Sequence, residues 1–144
     1  MKDNYEYIQK LILPKNEINN TNKIPKVIIQ TFETNYLPKR MIKKGCKSWI
    51  ELNPTYTYKF FDADDRKKFI KDNFDENVLK AYYKLNHGAL KSDLFRYCYL
   101  YIHGGVYSDI DQVCIKSLDT FIKPDDDFIT GLRSSSKHLS LIHI

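Results

Sequence analysis

A helix that breaks at two glycines and continues into a short apolar strand is the feature that most constrains the fold of this chain. The glycines are residues 104–105, and the strand runs into the acidic triplet Asp-Ile-Asp at residues 109–111. Alternate residues of a strand project to the same side, so the carboxylates of Asp109 and Asp111 are predicted to point at one place. Paired carboxylates suit a hard cation such as Mn²⁺ or Mg²⁺. The sequence therefore predicts a metal site where this strand ends.

The composition is that of one folded domain. The chain has 144 residues, of which 42% are hydrophobic and 28% charged, which allows a core without disulfide bonds. Its net charge of +5 comes from basic residues spread along the chain. They form no interleaved basic and aromatic patch of the kind that binds nucleic acid. An anionic small ligand is the expected partner, and no nucleic acid is expected.

The cysteines and the N-terminal segment indicate a protein of a reducing compartment. Cys46, Cys98 and Cys114 have neither metal-type spacing nor an even count, so we expect buried free thiols. Residues 1–23 are predicted to be a polar leader, because their apolar stretch at residues 8–13 is too short and polar for a signal sequence or membrane span. We expect a cytoplasmic protein, or one peripheral to a membrane, whose folded domain is residues 24–144.

Strands alternate with helices along this domain. The continuous apolar run IPKVIIQTF at residues 24–32 predicts a buried parallel strand. Further extended segments are expected at residues 56–61, 106–109, 113–115 and 128–132. Helices are expected at residues 38–52, where Trp49 is a core residue, 62–73, 76–85 and 88–103. This alternation is typical of a parallel sheet with right-handed crossovers and predicts an α/β fold.

The helix at residues 88–103 carries two patterns. Apolar residues at i, i+4, i+7 and i+11 predict the stripe that faces the core; they are Leu90, Leu94, Tyr97 and Tyr101. On a neighbouring face Asp93 and Arg96 are three residues apart, so their charged heads can reach one point. Gly104 is expected to cap the helix in a left-handed conformation.

An Asp-x-Asp triplet is weak evidence by itself, because the chain contains three. Asp62 of the triplet at residues 62–64 is explained as a helix cap, and residues 125–127 follow a proline in an acidic turn. The triplet at residues 109–111 alone follows a glycine-broken helix and an apolar strand, so the site is assigned to it. The alternative for this triplet is a solvated strand end, and for Asp93 and Arg96 it is a surface ion pair.

This part of the chain resembles the signature of the DXD sugar transferases. The matching runs are ALKSDLFRY at residues 89–97, LY at 100–101, GGVY at 104–107 and DID at 109–111. Upstream, IPKVIIQTF and SWIELNPTYTYKFFD resemble the family's opening strand and its next helix and strand. The family includes fungal outer-chain and sphingolipid mannosyltransferases, capsular polysaccharide synthesis proteins and, more distantly, glucosylating bacterial toxins. The resemblance implies a GT-A-like (Rossmann-like) nucleotide-sugar-binding domain with a mainly parallel central sheet.

The resemblance also implies an activity. It implies a metal-dependent, retaining hexosyltransferase, with mannosyl transfer favoured, that uses GDP- or UDP-hexose and a hydroxyl acceptor on a glycan, glycolipid or protein glycan. Mn²⁺ or Mg²⁺ would be bound by Asp111 and Asp109, and an arginine fork suits the diphosphate. The implied catalytic residues are Arg96, Asp109 and Asp111. The implied donor-binding residues are Gln30, Phe32, Asp93, Arg96, Tyr107 and Asp109, although a core role is equally open for Tyr107.

The chain departs from the family pattern in two places. The family usually reads His-Gln-x-Trp where residues 29–32 read Ile-Gln-Thr-Phe, so Phe32 remains to stack on a base while the first polar group is lost. The ending LSLIHI looks like the start of a buried strand, which predicts a domain truncated at its C-terminus. Two other interpretations stay open. One is a non-catalytic or fragmentary nucleotide-sugar binding domain, and the other a haloacid dehalogenase-type phosphohydrolase, whose nucleophile loop DIDQV fits.

Overall fold

The computed structural model of the chain describes residues 4–15 and 20–130. The strands are β1 (Tyr5–Tyr7), β2 (Leu11–Ile12), β3 (Val27–Thr31), β4 (Tyr36–Pro38), β5 (Thr57–Phe61) and β6 (Val106–Tyr107). The α-helices are α1 (Lys39–Met41), α2 (Lys47–Leu52), α3 (Ala63–Asn73), α4 (Glu76–Lys84) and α5 (Gly88–His103). A π-helical segment, Ile42–Cys46, joins α1 to α2, and a 3₁₀ turn covers Leu118–Thr120.

Four strands form a mixed sheet in the order β2-β5-β3-β6. β3 lies parallel to β5 on one side and to β6 on the other, whereas β2 pairs antiparallel with β5. The predicted α/β fold with parallel pairing of the first apolar strand is confirmed. Since the chain adds β5 on one side of β3 and then β6 on the other, the boundary between β3 and β6 is a topological switch point. Ligands of such sheets bind beside the carboxyl ends of the strands at that boundary.

The N-terminal segment, expected to be a polar leader, is part of this architecture where the structure describes it. β1 pairs with β4 in a separate two-stranded ribbon, and β2 extends the main sheet. Between the two strands Ile8 is buried in the core. Strands of two or three residues contain little more than one two-residue period, so a sequence pattern does not reveal them.

The helices lie close to their predicted positions. α3 begins with a capping box, in which the Asp62 carboxylate accepts from the Asp65 amide at 3.0 Å and the Asp65 carboxylate accepts from the Asp62 amide at 3.1 Å. α5 covers the predicted residues 88–103. Gly104, which follows it, has the expected positive φ of 63°, but its ψ of −163° is not that of the αL conformation. Residues 38–52 contain α1, the π-helical segment and α2 rather than one regular α-helix.

The prediction of which face of α5 packs on the core is wrong. Three of the four residues in the predicted stripe, Leu90, Tyr97 and Tyr101, are exposed. The buried side chains of α5 are Phe95, Cys98 and Tyr99. The helix is apolar on several sides, so periodicity does not choose among them. The choice is made by Phe95 and Tyr99, which pack against aromatic rings of β5 and α3.

Other expectations have mixed outcomes. Trp49 is buried as predicted, and the three cysteines are free and buried. Residues 113–115 are irregular rather than a strand, and so are residues 128–130; the remainder of the strand expected at residues 128–132 lies outside the described residues. Within the described ranges no helix combines the length and the apolar character that crossing a bilayer requires.

Candidate functional site

The acidic triplet lies in a turn just beyond β6. The strand ends at Tyr107, and the Gln112 amide donates to the Asp109 carbonyl at 3.1 Å, which closes the turn. The prediction that Asp109 and Asp111 share one side of a strand is therefore wrong in its geometry, because the turn begins at Asp109 and contains Asp111. Both residues nevertheless line the same cleft, so the structure does bring the two carboxylates to one site.

The cleft has a volume of about 680 Å³, and it opens where β3 and β6 end. This volume is in the range of small-molecule sites. Among the residues that line it are Thr31, Phe32, Glu33, His87, Asp93, Tyr107, Asp109 and Asp111. The cleft therefore lies at the switch point of the sheet, and four of its lining residues carry carboxylates.

Arg96 balances two of these acids. Its Nη2 lies 2.8 Å from Asp93 Oδ1, and its Nη1 lies 3.8 Å from Asp109 Oδ1. The predicted meeting of Asp93 and Arg96 is confirmed. The Arg96 side chain is 13% exposed and that of Asp93 is 47% exposed, so the pair is intermediate between a buried ion pair and the solvated surface pair of the alternative. Arg96 Nε is buried and has no hydrogen-bond partner among the described residues, a donor that costs free energy while it stays unpaired.

Tyr107 joins the core to the cleft. Its ring belongs to the buried cluster around Phe95 and Tyr99, and its hydroxyl donates to Asp109 Oδ1 at 3.1 Å. Burial, followed by the nearby Asp109 carboxylate, raises the pKa of Tyr107 well above its usual value. The hydroxyl therefore stays protonated and remains a donor. Of the two roles left open for this residue, the structure shows core packing, and it places the polar end of the same side chain at the cleft.

Gln30 lies beneath the cleft, fully buried. Its Nε2 donates to the Asp109 carbonyl at 3.0 Å, and its Oε1 accepts from the Tyr58 hydroxyl at 2.9 Å. Gln30 is not among the residues that line the cleft. The structure thus does not bring it to the wall where the resemblance implied donor binding. It holds the first residue of the acidic turn to the centre of the sheet.

Phe32 does line the cleft, and a residue that the sequence analysis missed holds it there. Arg66 is fully buried; its Nη1 donates to Thr31 Oγ1 at 2.8 Å and to the Phe32 carbonyl at 3.0 Å, while its Nη2 pairs with the Glu33 carboxylate. In the sequence Arg66 belongs to a basic run on α3, which gave no signal that its side chain turns inward. Arg66 fixes the last residue of β3 and the two residues that follow it.

Gln112 is a second residue that the sequence analysis missed. Its Oε1 accepts from the Asp109 amide and from Ser108 Oγ, each at 3.1 Å, and its carbonyl accepts from Trp49 Nε1 at 3.0 Å. The acidic turn is thus held from within by Gln112 and from outside by the helix that carries Trp49. No residue type in the sequence marked these contacts: those of the Gln112 side chain lie within an irregular turn, and the one with Trp49 joins segments 63 residues apart.

The acid pair fits a divalent cation that has few protein ligands. Asp109 and Asp111 offer hard oxygen donors, and Asp111 is exposed. No group of three or more His, Cys, Asp or Glu side chains suited to a metal gathers within residues 4–15 and 20–130. Two carboxylates completed by water and diphosphate oxygens are a donor set that Mg²⁺ uses with nucleotides, and Mn²⁺ prefers the same kind of ligand.

Known proteins have sequences similar to most of this chain. A relative in Acanthamoeba polyphaga mimivirus, an uncharacterized glycosyltransferase, is 36% identical over 70% of this chain and 39% of its own length. Inositol phosphoceramide mannosyltransferase 3 of Schizosaccharomyces pombe is 33% identical over 72% of this chain and 29% of its own length. The initiation-specific alpha-1,6-mannosyltransferase of Candida albicans is 35% identical over 68% of this chain and 27% of its own length. No solved structure matches the chain.

The chain spans well under half the length of these curated relatives, at 39%, 29% and 27%. The matches do not favour the phosphohydrolase interpretation or the non-catalytic one. Residues 38–129, which include α5 and the acidic turn, match the family model described as the glycosyltransferase sugar-binding region containing the DXD motif. With Asp109 of that motif meeting Arg96 and Tyr107 at the cleft, the chain belongs to this glycosyltransferase family.

Proposed function

We propose that this domain binds a nucleotide-diphosphate sugar in the cleft and transfers its hexosyl group, a mannosyl group first of all, to a hydroxyl acceptor. The acceptor is a glycan, a glycolipid or a protein glycan, the domain is GT-A-like, and transfer retains the anomeric configuration. Support for the sugar comes from relatives that are named mannosyltransferases. The observation that carries the proposal is the convergence of Asp93, Arg96, Tyr107, Asp109 and Asp111 at the switch point of the sheet.

The charge of the cleft supports metal dependence. Glu33, Asp93, Asp109 and Asp111 line it, and Arg66 and Arg96 pair with three of these four acids. A nucleoside diphosphate would meet more negative than positive charge there, and like charges repel strongly in a partly buried site. Mn²⁺ or Mg²⁺ held by Asp109 and Asp111 would reverse that balance and stabilise the departing diphosphate as a Lewis acid.

The chain's own residues orient the donor. The Asp93 side chain is 47% exposed and, as a carboxylate, accepts hydrogen bonds from sugar hydroxyls. Tyr107 and Gln30 hold Asp109 by its side chain and its main chain respectively. Phe32 offers an aromatic face to a nucleobase. Arg96 keeps the carboxylates of Asp93 and Asp109 at a fixed separation.

Calorimetric titration tests the proposal. GDP-mannose, UDP-glucose, GDP and UDP are titrated with and without Mn²⁺ into the wild type and the Asp111→Ala variant. We expect metal-dependent binding of one nucleotide that Asp111→Ala abolishes, together with slow hydrolysis of the matching nucleotide sugar. Asp64→Ala is the matched control, because Asp64 is an exposed acid of another Asp-x-Asp triplet. A folded wild-type chain that binds none of these nucleotides with Mn²⁺ would refute the proposal.

A further inference from the structure

The helical segment after β4 has a glycine where it touches the acidic turn. Gly45 lies in the π-helical segment Ile42–Cys46 and is buried. A Cβ atom at this position would be 2.5 Å from the carbonyl oxygen of Ile110 and 3.6 Å from that of Gln112. Ile110 is the middle residue of the acidic triplet, and its carbonyl belongs to the main chain, so it cannot swing aside as a flexible side chain does. Only a residue without a side chain allows this approach.

The neighbours of Gly45 bond to the chain that follows the turn. Ser48 Oγ donates to the Gly45 carbonyl at 2.7 Å and accepts from the Cys114 amide at 2.9 Å. The next residue is Trp49, whose Nε1 donates to the Gln112 carbonyl at 3.0 Å. Three consecutive contacts therefore join this helix to the main chain of residues 110, 112 and 114. π-helical turns are rare and often lie at functional sites, and this one is at the contact.

We propose that Gly45 is a positioning residue for the acidic turn: its missing side chain lets the helix set where Asp109 and Asp111 lie, and hence how well they bind a cation with a diphosphate. The inference rests on the function proposed for the cleft. Gly45 does not line the cleft, so it acts through the turn rather than on the ligand. Helix propensity opposes a glycine here, because alanine is preferred in helix interiors. Close approach is the physical reason for glycine at this position.

Gly45→Ala tests the inference with a readout that needs no ligand. Trp49 is the single tryptophan of the chain, so its indole N–H gives one resonance that reports the bond to Gln112. In Gly45→Ala we expect that resonance, and the amide resonances of residues 109–112, to shift while the circular dichroism spectrum stays that of a folded chain. Lys44→Ala is the matched control, because Lys44 is exposed in the same segment, and it should shift none of them.

The second readout is Mn²⁺ affinity, measured by electron paramagnetic resonance in the presence of GDP or UDP. Loss of the contacts that hold metal-binding side chains in place typically weakens metal binding about 10- to 100-fold. We expect a loss of Mn²⁺ affinity in this range for Gly45→Ala and none for Lys44→Ala. Wild-type affinity and an unmoved indole resonance in Gly45→Ala would overturn the inference. If the wild type binds no Mn²⁺ with either nucleotide, the proposed function fails, and the indole resonance alone decides whether Gly45 positions the turn.

Ser48→Ala covers the case in which Gly45→Ala does not fold. This variant removes the hydroxyl that bonds Gly45 to Cys114 and adds no volume. We expect the Trp49 indole resonance to shift and the Mn²⁺ affinity to fall by less than in a tolerated Gly45→Ala. In Ser48→Ala the amide resonance of Cys114 could shift while the Trp49 indole resonance and the Mn²⁺ affinity stay unchanged. That result would show that the helix does not position the turn.

Discussion

The hydroxyl oxygen of Tyr107 lies 3.1 Å from Asp109 Oδ1 and donates a hydrogen bond to it. The two residues are separated by one position, yet one is the end of β6 and the other begins the acidic turn. The tyrosine ring is 2% exposed, so this bond ties a cleft carboxylate to the rigid core. The orientation of Asp109 depends on a side chain that cannot move without disturbing the aromatic cluster.

Replacing Tyr107 by phenylalanine removes this bond and keeps the ring. We expect the chain to lose about 1 kcal/mol in its free energy of unfolding, which is typical of one hydrogen bond, and to bind Mn²⁺ with nucleotide roughly 10-fold more weakly. Urea unfolding and calorimetry measure the two effects. Tyr101→Phe is the control, because Tyr101 is 85% exposed. Equal Mn²⁺ affinity in Tyr107→Phe and wild type would contradict the role of the hydroxyl.

High pH should destabilise the fold through its buried tyrosines. Burial is the main cause that raises the pKa of each of Tyr56, Tyr58, Tyr99 and Tyr107. The value for Tyr99 rises to about 12, against about 10 in an unfolded chain. Above pH ~10 the unfolded chain loses these protons before the folded one, so the contribution to stability is full below that pH and is lost as the pH rises further.

Thermal unfolding between pH 7 and 12 tests this dependence. The midpoint temperature should fall steadily above about pH 10, and absorbance at the tyrosinate band should rise in two phases, exposed tyrosines first and the buried set together with unfolding. If the absorbance rises in a single phase and every tyrosine ionises before the chain unfolds, the proposed role of the buried tyrosines in the pH dependence is contradicted.

Arg66→Met should destabilise the chain, because it removes the bonds that Arg66 makes to Thr31 and Phe32 and leaves their oxygens buried. We expect a loss of roughly 2–3 kcal/mol, less than for a fully buried ion pair because the Glu33 side chain is 49% exposed and can be hydrated. Urea unfolding measures it. Arg40→Met, at an exposed position, should change little. Equal stability of the two variants would show that Arg66 does not hold the wall of the cleft.

Asp93→Asn should separate recognition of the sugar from recognition of the nucleotide. The variant keeps the shape of the side chain but weakens its acceptance of sugar hydroxyls, so affinity for the nucleotide sugar should fall about 10-fold, a loss of about 1.4 kcal/mol. Affinity for the nucleoside diphosphate should change less. Asp72→Asn breaks an exposed ion pair with Lys68 and serves as the control. A parallel loss of both affinities in Asp93→Asn would place Asp93 in the binding of the diphosphate instead.

Local signals in the sequence predicted the elements around the site well. Glycines bound α5, Asp62 caps α3, and a continuous apolar run marks β3, so the helices and the central strand lie near their predicted positions. The meeting of Asp93 with Arg96 follows from helical spacing alone. The context of the triplet at residues 109–111, after a glycine-broken helix and an apolar strand, selected the one of the three that lines the cleft with Asp93.

The wrong prediction and the residue roles that the sequence did not show all depend on contacts between distant parts of the chain. The buried face of α5 is chosen by the aromatic rings of β5 and α3, not by periodicity. The inward turn of Arg66 is decided by the oxygens at the end of β3, and the burial of Gln30 by its bonds to Tyr58 and Asp109. Gly45 looks like an unfavourable helix residue until the carbonyl of Ile110 is placed beside it.

The position of β6 bears on how this site is assembled as the chain folds. β6 pairs with β3 through two register positions only, Ile28 with Val106 and Ile29 with Tyr107, across most of the described chain. Closing so long a loop for so short a pairing is slow and is easily reversed by local opening. We therefore expect the acidic turn to form late, and we expect β6 to be, with the equally short β2, among the first strands of the sheet to open. Amide exchange at β6 would report a ligand in the cleft long before global unfolding does.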